Sequence, residues 1–239
     1  MSDYRYVGGE LTLFAKAARW KQYMADRLDA FIAGDVLEVG AGIGGTSHFL
    51  VNPRVTSWTA LEPDAALVEQ LRSGLANLPV RHEVRLGTVD DLPSDRRFDA
   101  ILYIDVLEHI AEDAREVAAA AARLKVGGRL VVLSPAHPWL FSEFDRAVGH
   151  ERRYTRRRLR AISPPGTHLE TLFSLDAAGA LLSLGNRLML RRSVPTEPQI
   201  RFWDRRVVPI SRCFDPLIGR RFGRSLVAVW RRTGEEATL

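Results

Sequence analysis

The chain has 239 residues, 46% of them hydrophobic and 26% charged, a composition that excludes a disordered or collagen-like polymer and allows one large core. Its formal charge is +5, and only Lys16, Lys21 and Lys125 among its 34 basic side chains are lysines; the arginine preference reads first as genome composition, and the surplus also suits anionic partners such as phosphates, nucleic acid or lipid head groups. The single cysteine, Cys213, excludes an internal disulfide and a cysteine-cluster zinc site.

The opening MSDYRYVGGE carries acids and no apolar core, so no signal peptide is expected, and no apolar run approaches the ~20 residues of a membrane span. The expected location is a reducing cytoplasm. Leu11, Phe14, Ala15, Ala18, Met24, Leu28 and Phe31 recur at helical spacing and predict a helix over 10–33, ended by Gly34. DVLEV reads as a strand and TSHFLV opens a helix. VTSWTALE is a strand, 64–78 a helix stopped by Pro79, and RHEVRLG a strand. FDAILYID is a strand, 106–124 a long alanine-rich helix, and GGRLVVLS a strand. This alternation implies right-handed crossovers and a mostly parallel sheet. After Pro135, AHPWLFSEFDRAVGHERRY reads as a long polar and aromatic loop of the kind that carries function. TRRRLRAI is a short helix, THLETLFSL a strand and 176–191 a helix. PQIRFWDRRVVPISRCFDPLI is a proline-interrupted helical stretch, and SLVAVWRR is the last strand.

The stretch VLEVGAGIGGTSHF runs from a strand through a glycine turn into a helix. Gly40, Gly42 and Gly45 spell the dinucleotide fingerprint G-x-G-x-x-G. Gly40, Gly42 and Gly44 spell G-x-G-x-G behind an acid, Glu38. Ligands of open α/β sheets bind at the carboxyl ends of the strands, and residues without Cβ atoms let the backbone approach them. Glu62 ends the second strand about twenty residues on, where an acid can accept both hydroxyls of an adenosine ribose. Asp90, in GTVDDLP, follows the third strand and could accept from an adenine amino group.

LEVGAGIG, LEPD, VDDLP, and FDAILYIDVLEHI followed by LKVGGRLVVLSPA together resemble the class I S-adenosylmethionine-dependent methyltransferases. The motifs cover about 34–135, and the element order covers the whole chain. The resemblance implies a doubly wound α/β fold: a mostly parallel seven-stranded sheet with an antiparallel last strand, an N-terminal helical lid, and a helical insertion before the last strand. It implies one domain over 1–239, with a lid at 1–33, a cofactor core at 34–135 and an acceptor side at 136–239. Glu38 favours this family over a dinucleotide enzyme, because a sulfonium and an ammonium welcome a nearby carboxylate and a pyrophosphate does not. By resemblance, Glu38, Gly40, Ala41, Gly42 and Gly44 line the methionine end and Glu62 holds the ribose. Pro63, Val89 and Asp90 flank the adenine, and Tyr103 lies under the methionine part. Trp20 and Tyr23 belong either to packing or to a lid over the sulfonium.

The acceptor side is expected in the loop after the fifth strand, with His137, Trp139, Asp145, His150, Arg152, Arg153 and Tyr154. FDRAVGHERRY resembles a segment of a bacterial subgroup of these enzymes. An imidazole changes charge near neutrality and can take a proton from a hydroxyl, so His150 with Tyr154 forms the candidate catalytic pair and Arg152 or Arg153 a candidate anion clamp. Glu108 and His109, adjacent on an expected helix, would point to different faces, and no metal is expected. The implied reaction moves the methyl group of S-adenosylmethionine to a small-molecule or lipid- or glycan-linked acceptor, first of all at oxygen. Three alternatives stay open. RRYTRRRLR suits an RNA methyltransferase, the glycine turn suits an NAD(P)-dependent oxidoreductase, and a non-catalytic adenosine-ligand binder needs only the donor site. The segment IRFWDRRVVPISRCF could rest on a membrane surface.

Overall fold

A computed structural model describes Tyr6, residues 11–189 (backbone only at 186–189) and residues 195–234. Most of MSDYRYVGGE, residue 10 of the first expected helix and residues 190–191 of the late one lie outside the described residues. Helices α1 (Leu11–Ala15) and α2 (Ala18–Leu28) precede strand β1 (Gly34–Val39). Then follow α3 (Ser47–Leu50), β2 (Val55–Glu62), α4 (Ala65–Leu75), β3 (Arg81–Leu86), β4 (Phe98–Ile104), α5 (Asp113–Ala122) and β5 (Leu124–Pro135). The remainder comprises α6 (Glu143–Ala147), α7 (Arg156–Ala161), β6 (Thr167–Leu175), α8 (Ala177–Met189), α9 (Glu197–Phe202), α10 (Val208–Leu217) and β7 (Ser225–Arg232).

The strands form one seven-stranded sheet in the order β3-β2-β1-β4-β5-β7-β6. Strands β1 to β5 pair parallel, and β7 inserts antiparallel between β5 and β6. This is the doubly wound arrangement the sequence implies. The chain order reverses at β1, whose carboxyl end opens beside that of β4, so a crevice forms there. Central strands such as ILYI of β4 are apolar throughout because helices cover both faces. One core packs α2, α4 and the α8–α10 region on one face, and a second packs α5 and α7 on the other.

Two expected helices break. The 10–33 helix divides at Lys16–Ala17, because the first turn of α2 is capped from far away: the Trp20 amide donates to Asp204 Oδ1 at 2.9 Å. The 106–124 helix is a 3-10 turn at Leu107–His109, extended backbone at Ile110, and only then α5. Asp113 sits at the start of α5 because its buried carboxylate is forked by Arg158 at 2.7 and 2.9 Å and receives the Tyr154 hydroxyl at 2.9 Å. The long loop after β5 is also partly ordered into a 3-10 turn and α6, whose first turn Ser142 and Asp145 cap reciprocally.

Helices α1 and α2 are keyed to α9–α10. Besides Trp20–Asp204, the Tyr23 hydroxyl donates to Asp215 at 2.7 Å, Arg212 pairs with Asp26 at 2.6 Å, and Lys16 pairs with Glu197 at 2.9 Å. Trp20 packs on Trp203 with ring centroids 5.7 Å apart.

Candidate active site

The glycine turn after β1 is set by backbone sterics. Gly40, Gly42 and Gly44 take φ of +68°, +58° and +76°, a region that side-chain-bearing residues rarely adopt, whereas Gly45 does not. A Cβ on Gly40 would also lie 2.7 Å from a Val106 methyl, and one on Gly44 2.9 Å from Leu75. The conformation therefore requires the G-x-G-x-G set, and the dinucleotide reading loses its third glycine.

Glu38 is buried behind this turn. It accepts from Ser47 Oγ at 2.5 Å and Trp58 Nε1 at 3.1 Å, and burial pushes its carboxyl up to about 7. Glu62, at the end of β2, accepts from the Gly42 amide at 2.8 Å and the Asp64 amide at 3.0 Å, and burial raises its carboxyl too. Each oxygen is left with capacity for a further donor. Lys21 closes the turn from the other side: its ammonium donates to Gly45 O at 2.7 Å and Ala15 O at 3.0 Å, and burial lowers it to about 8.

A cavity of about 1040 Å³ opens from Glu38, Gly40, Ala41 and Gly42 toward the long loop. Phe14, Trp20, Phe144 and Trp203 give it aromatic walls, and Asp105, Glu108 and His150 give it titratable ones. Asp105 takes φ +53° at the end of β4, and its surroundings push its carboxyl up to about 6, chiefly by desolvation. Glu108 is fully buried, neither of its oxygens meets a donor among the described residues, and burial with Asp105 close by raises its carboxyl well above the usual range. The sequence gave no reason to select Asp105; a non-glycine residue forced to positive φ becomes visible only in the fold.

His150 lines the same cavity as the glycine turn. Its Nδ1 is 2.9 Å from Asp145 Oδ1, and Arg153 grips the same carboxylate with Nε at 2.7 Å and Nη2 at 2.9 Å. Burial works to raise Asp145, yet the bonds from His150 and Arg153 hold it below the ordinary carboxylate range. An ionised Asp145 only accepts, so Nδ1 carries the hydrogen and Nε2, 3.9 Å from Glu108 Oε1, is the ring's acceptor. Arg153 also lines the cavity, and its buried Nη1 has no partner.

Tyr154 lies elsewhere. It is fully buried, and its hydroxyl donates within hydrogen-bond reach of Leu107 O (3.1 Å) and Asp113 (2.9 Å), so it pins the loop to the α5 face. Arg152 likewise donates to the Ile110 and Ala111 carbonyls. Tyr103 alternates away from the cavity: Leu102 and Ile104 face one core and Tyr103 the other, where its hydroxyl donates to Glu116 at 2.6 Å. Pro63 is half-buried and Val89 buried, and Asp90 is exposed and paired with Arg115 at 3.2 Å; none of the three borders the cavity. Trp20 lines the cavity, and Tyr23 serves the packing of α2. Because 107–109 is a 3-10 turn, Glu108 and His109 do converge, and with His150 they bring one ligand atom each within 4.8 Å of one another. Desolvation lowers His109 to about 4.

A family described as a methyltransferase domain matches residues 11–183. The chain belongs to the class I S-adenosylmethionine-dependent methyltransferases. S-adenosylmethionine is the cofactor of this methyltransferase family. The chain is 33% identical over 135 residues to a ubiquinone biosynthesis O-methyltransferase of Xylella fastidiosa, covering 56% of this chain and 52% of that one. It is 30% identical over 129 residues to a demethylmenaquinone methyltransferase of Tropheryma whipplei, covering 54% and 53%. The matches thus span about half the length of these curated relatives. An S-adenosylmethionine-dependent methyltransferase from Clostridium acetobutylicum shares the fold of this methyltransferase with a TM-score of 0.56 at 10% identity, over 92% of this chain and 93% of that one. No helix among the described residues is long and apolar enough to cross a membrane.

Proposed function

We propose that the protein methylates a hydroxyl oxygen of a small-molecule or lipid- or glycan-linked acceptor, in the cytoplasm, with His150 as the proton acceptor. The observation that carries this reading is the Asp145–His150 pair: His150 lines the same cavity as the glycine turn, with its Nε2 3.9 Å from the buried Glu108 carboxyl. S-adenosylmethionine, when bound, supplies a methyl carbon already activated by a sulfonium. Glu38, Gly40, Ala41, Gly42 and Gly44 would hold its methionine end, Glu62 its ribose, and Pro63, Val89 and Asp90 its adenine. The glycine turn and Glu38 fit that group, since the turn offers a wall without Cβ atoms and Glu38 is a buried carboxyl poised to ionise beside a cation, whereas Pro63, Val89 and Asp90 lie outside the cavity. S-adenosylmethionine would supply the methyl group to an acceptor hydroxyl, and His150 Nε2 would take that hydroxyl's proton. Asp145 and Arg153 orient the imidazole, while Tyr154 and Arg152 position the loop that bears it. The aromatic walls and the likeness to a ubiquinone biosynthesis O-methyltransferase and a demethylmenaquinone methyltransferase support a ring-bearing acceptor. Helices α1–α2 serve as the lid that keeps water from the sulfonium.

The test is labelled methyl transfer from S-adenosylmethionine into fractionated extracts and simple phenols, using wild type and His150→Ala. Turnover at saturating acceptor is expected to fall by roughly 10²–10⁴ with cofactor affinity nearly intact. Near-wild-type turnover would remove His150 from the mechanism. Turnover that collapses on chelation and returns with a divalent cation would reassign His150, with Glu108 and His109, to a metal.

A further inference from the structure

Helices α9 and α10, joined by a π-helical turn at Trp203–Val207, form one continuous path with two unlike sides. The inner side is spent on the protein. Ile200, Trp203, Val207 and Val208 enter the core, Asp204 caps α2, and Asp215 accepts from Tyr23 and from the Asp176 and Ala177 amides. The outer side has no partner among the described residues. Ile210, Phe214 and Leu217, at i, i+4 and i+7, are 59%, 46% and 81% exposed, and with Pro209 and Cys213 they surround a shallow apolar depression. Leu181 of α8, the helix packed beside α10, is exposed as well.

Unpaired arginines flank this strip, next to the paired Arg212–Asp26 and Arg201–Glu197. Arg205 and Arg206 are exposed and form no ion pair among the described residues. Beyond the end of α10, Arg221 and Arg160 crowd Arg156, and none of the three has a carboxylate partner among the described residues. Both aspartates of the segment, Asp204 and Asp215, are turned inward. An exposed apolar strip flanked by unneutralised arginines matches the boundary between acyl chains and anionic head groups. A second copy docked about a twofold axis would set these arginines against their own equivalents, which argues against self-association.

We propose that the outer face of α10, with Arg205, Arg206 and Arg221 around it, seats the protein on an anionic phospholipid bilayer. The inner side of the same helices forms a wall of the cavity through Ile200 and Trp203, and Phe202 is both exposed and part of that wall. An acceptor dissolved in the bilayer would therefore meet the cavity at its membrane-facing rim. This inference stands on the surface and is independent of the methyl-transfer reading.

The experiment is co-sedimentation of the full chain with phosphatidylcholine vesicles, with and without phosphatidylglycerol. Binding to the anionic vesicles should exceed binding to neutral ones by about fivefold for each engaged arginine. The triple substitution Ile210→Ser, Phe214→Ser, Leu217→Ser should abolish it, and Arg205→Gln with Arg206→Gln should weaken it. Since the variants are on the surface, their melting curves should match wild type. In a Phe214→Trp variant the added emission should shift to the blue on anionic vesicles, which reports insertion without deleting the strip. Equal binding to both vesicle types, no binding to either, or a concentration-dependent dimer that the triple substitution dissociates would each overturn the proposal.

Discussion

The two sides of the cavity are built by different means. On the donor side, β1, the glycine turn and the end of β2 fix positions through backbone: positive φ at Gly40, Gly42 and Gly44, and amides of Gly42 and Asp64 aimed at Glu62. On the acceptor side, the loop after β5 is fixed through charged side chains: Arg153 on Asp145, Asp145 on His150, Arg158 and Tyr154 on Asp113. Backbone geometry tolerates one solution, whereas a network of side chains can be redrawn residue by residue. A fold that keeps one donor and meets many acceptors needs that asymmetry.

The contrast can be tested at its weakest joint. Asp145→Ala leaves Arg153 as a buried, unpaired cation and should cost about 3–5 kcal/mol, read as a loss in chemical denaturation, with turnover falling alongside. Stability within error of wild type would show that the acceptor loop does not depend on this network. Gly40→Ala attacks the other side. The positive φ and the contact with Val106 should together cost roughly 2 kcal/mol and weaken cofactor binding, and unchanged affinity would mean the turn has freedom to relax.

A subtler test uses pH. Glu38 has a folded pKa of about 7 against an ordinary 4.5, so its neutral form favours the folded state. Its contribution is fully present below about pH 4.5 and is lost as pH rises through about 7. The difference in melting temperature between wild type and Glu38→Gln should shift against wild type across that window. A cationic ligand reverses the preference, so S-adenosylmethionine affinity should rise between pH 6 and 8 by up to about tenfold, and Glu38→Gln should flatten the rise. A flat wild-type profile would separate Glu38 from the ligand's charge. The smallest effect concerns the arginine run at 156–160. Arg156 and Arg158 are turned inward onto Leu172 O, Ser174 and Asp113, so methyl transfer should depend only weakly on salt. A steep loss with salt and retention on RNA would restore the nucleic-acid alternative.

The same asymmetry explains what could be read from sequence. Strand ends, glycine spacing and apolar runs are local, and they placed all seven strands and the donor turn. The break at Lys16–Ala17 depends on Asp204, far along the chain, and the break at 107–112 on Asp113, Tyr154 and Arg158; local periodicity contains neither. His150 could be named because an imidazole in a long loop is conspicuous, but its partner Asp145 stood among several equal candidates. Tyr103 is singled out by its place at the end of the fourth strand and Tyr154 by its place four residues after His150, and side-chain alternation and a buried acid direct both to the opposite face.

The keying of α1–α2 to α9–α10 bears on how such a protein diversifies. Trp20 on Asp204, Tyr23 on Asp215, Lys16 on Glu197 and Arg212 on Asp26 bind two stretches nearly two hundred residues apart into one part. A recombinant that imports either stretch alone from a relative would open the first turn of α2 and strand two buried aspartates. The two stretches therefore form one discontinuous part, and chimaeras that keep the fold will exchange both ends of the chain around an untouched middle.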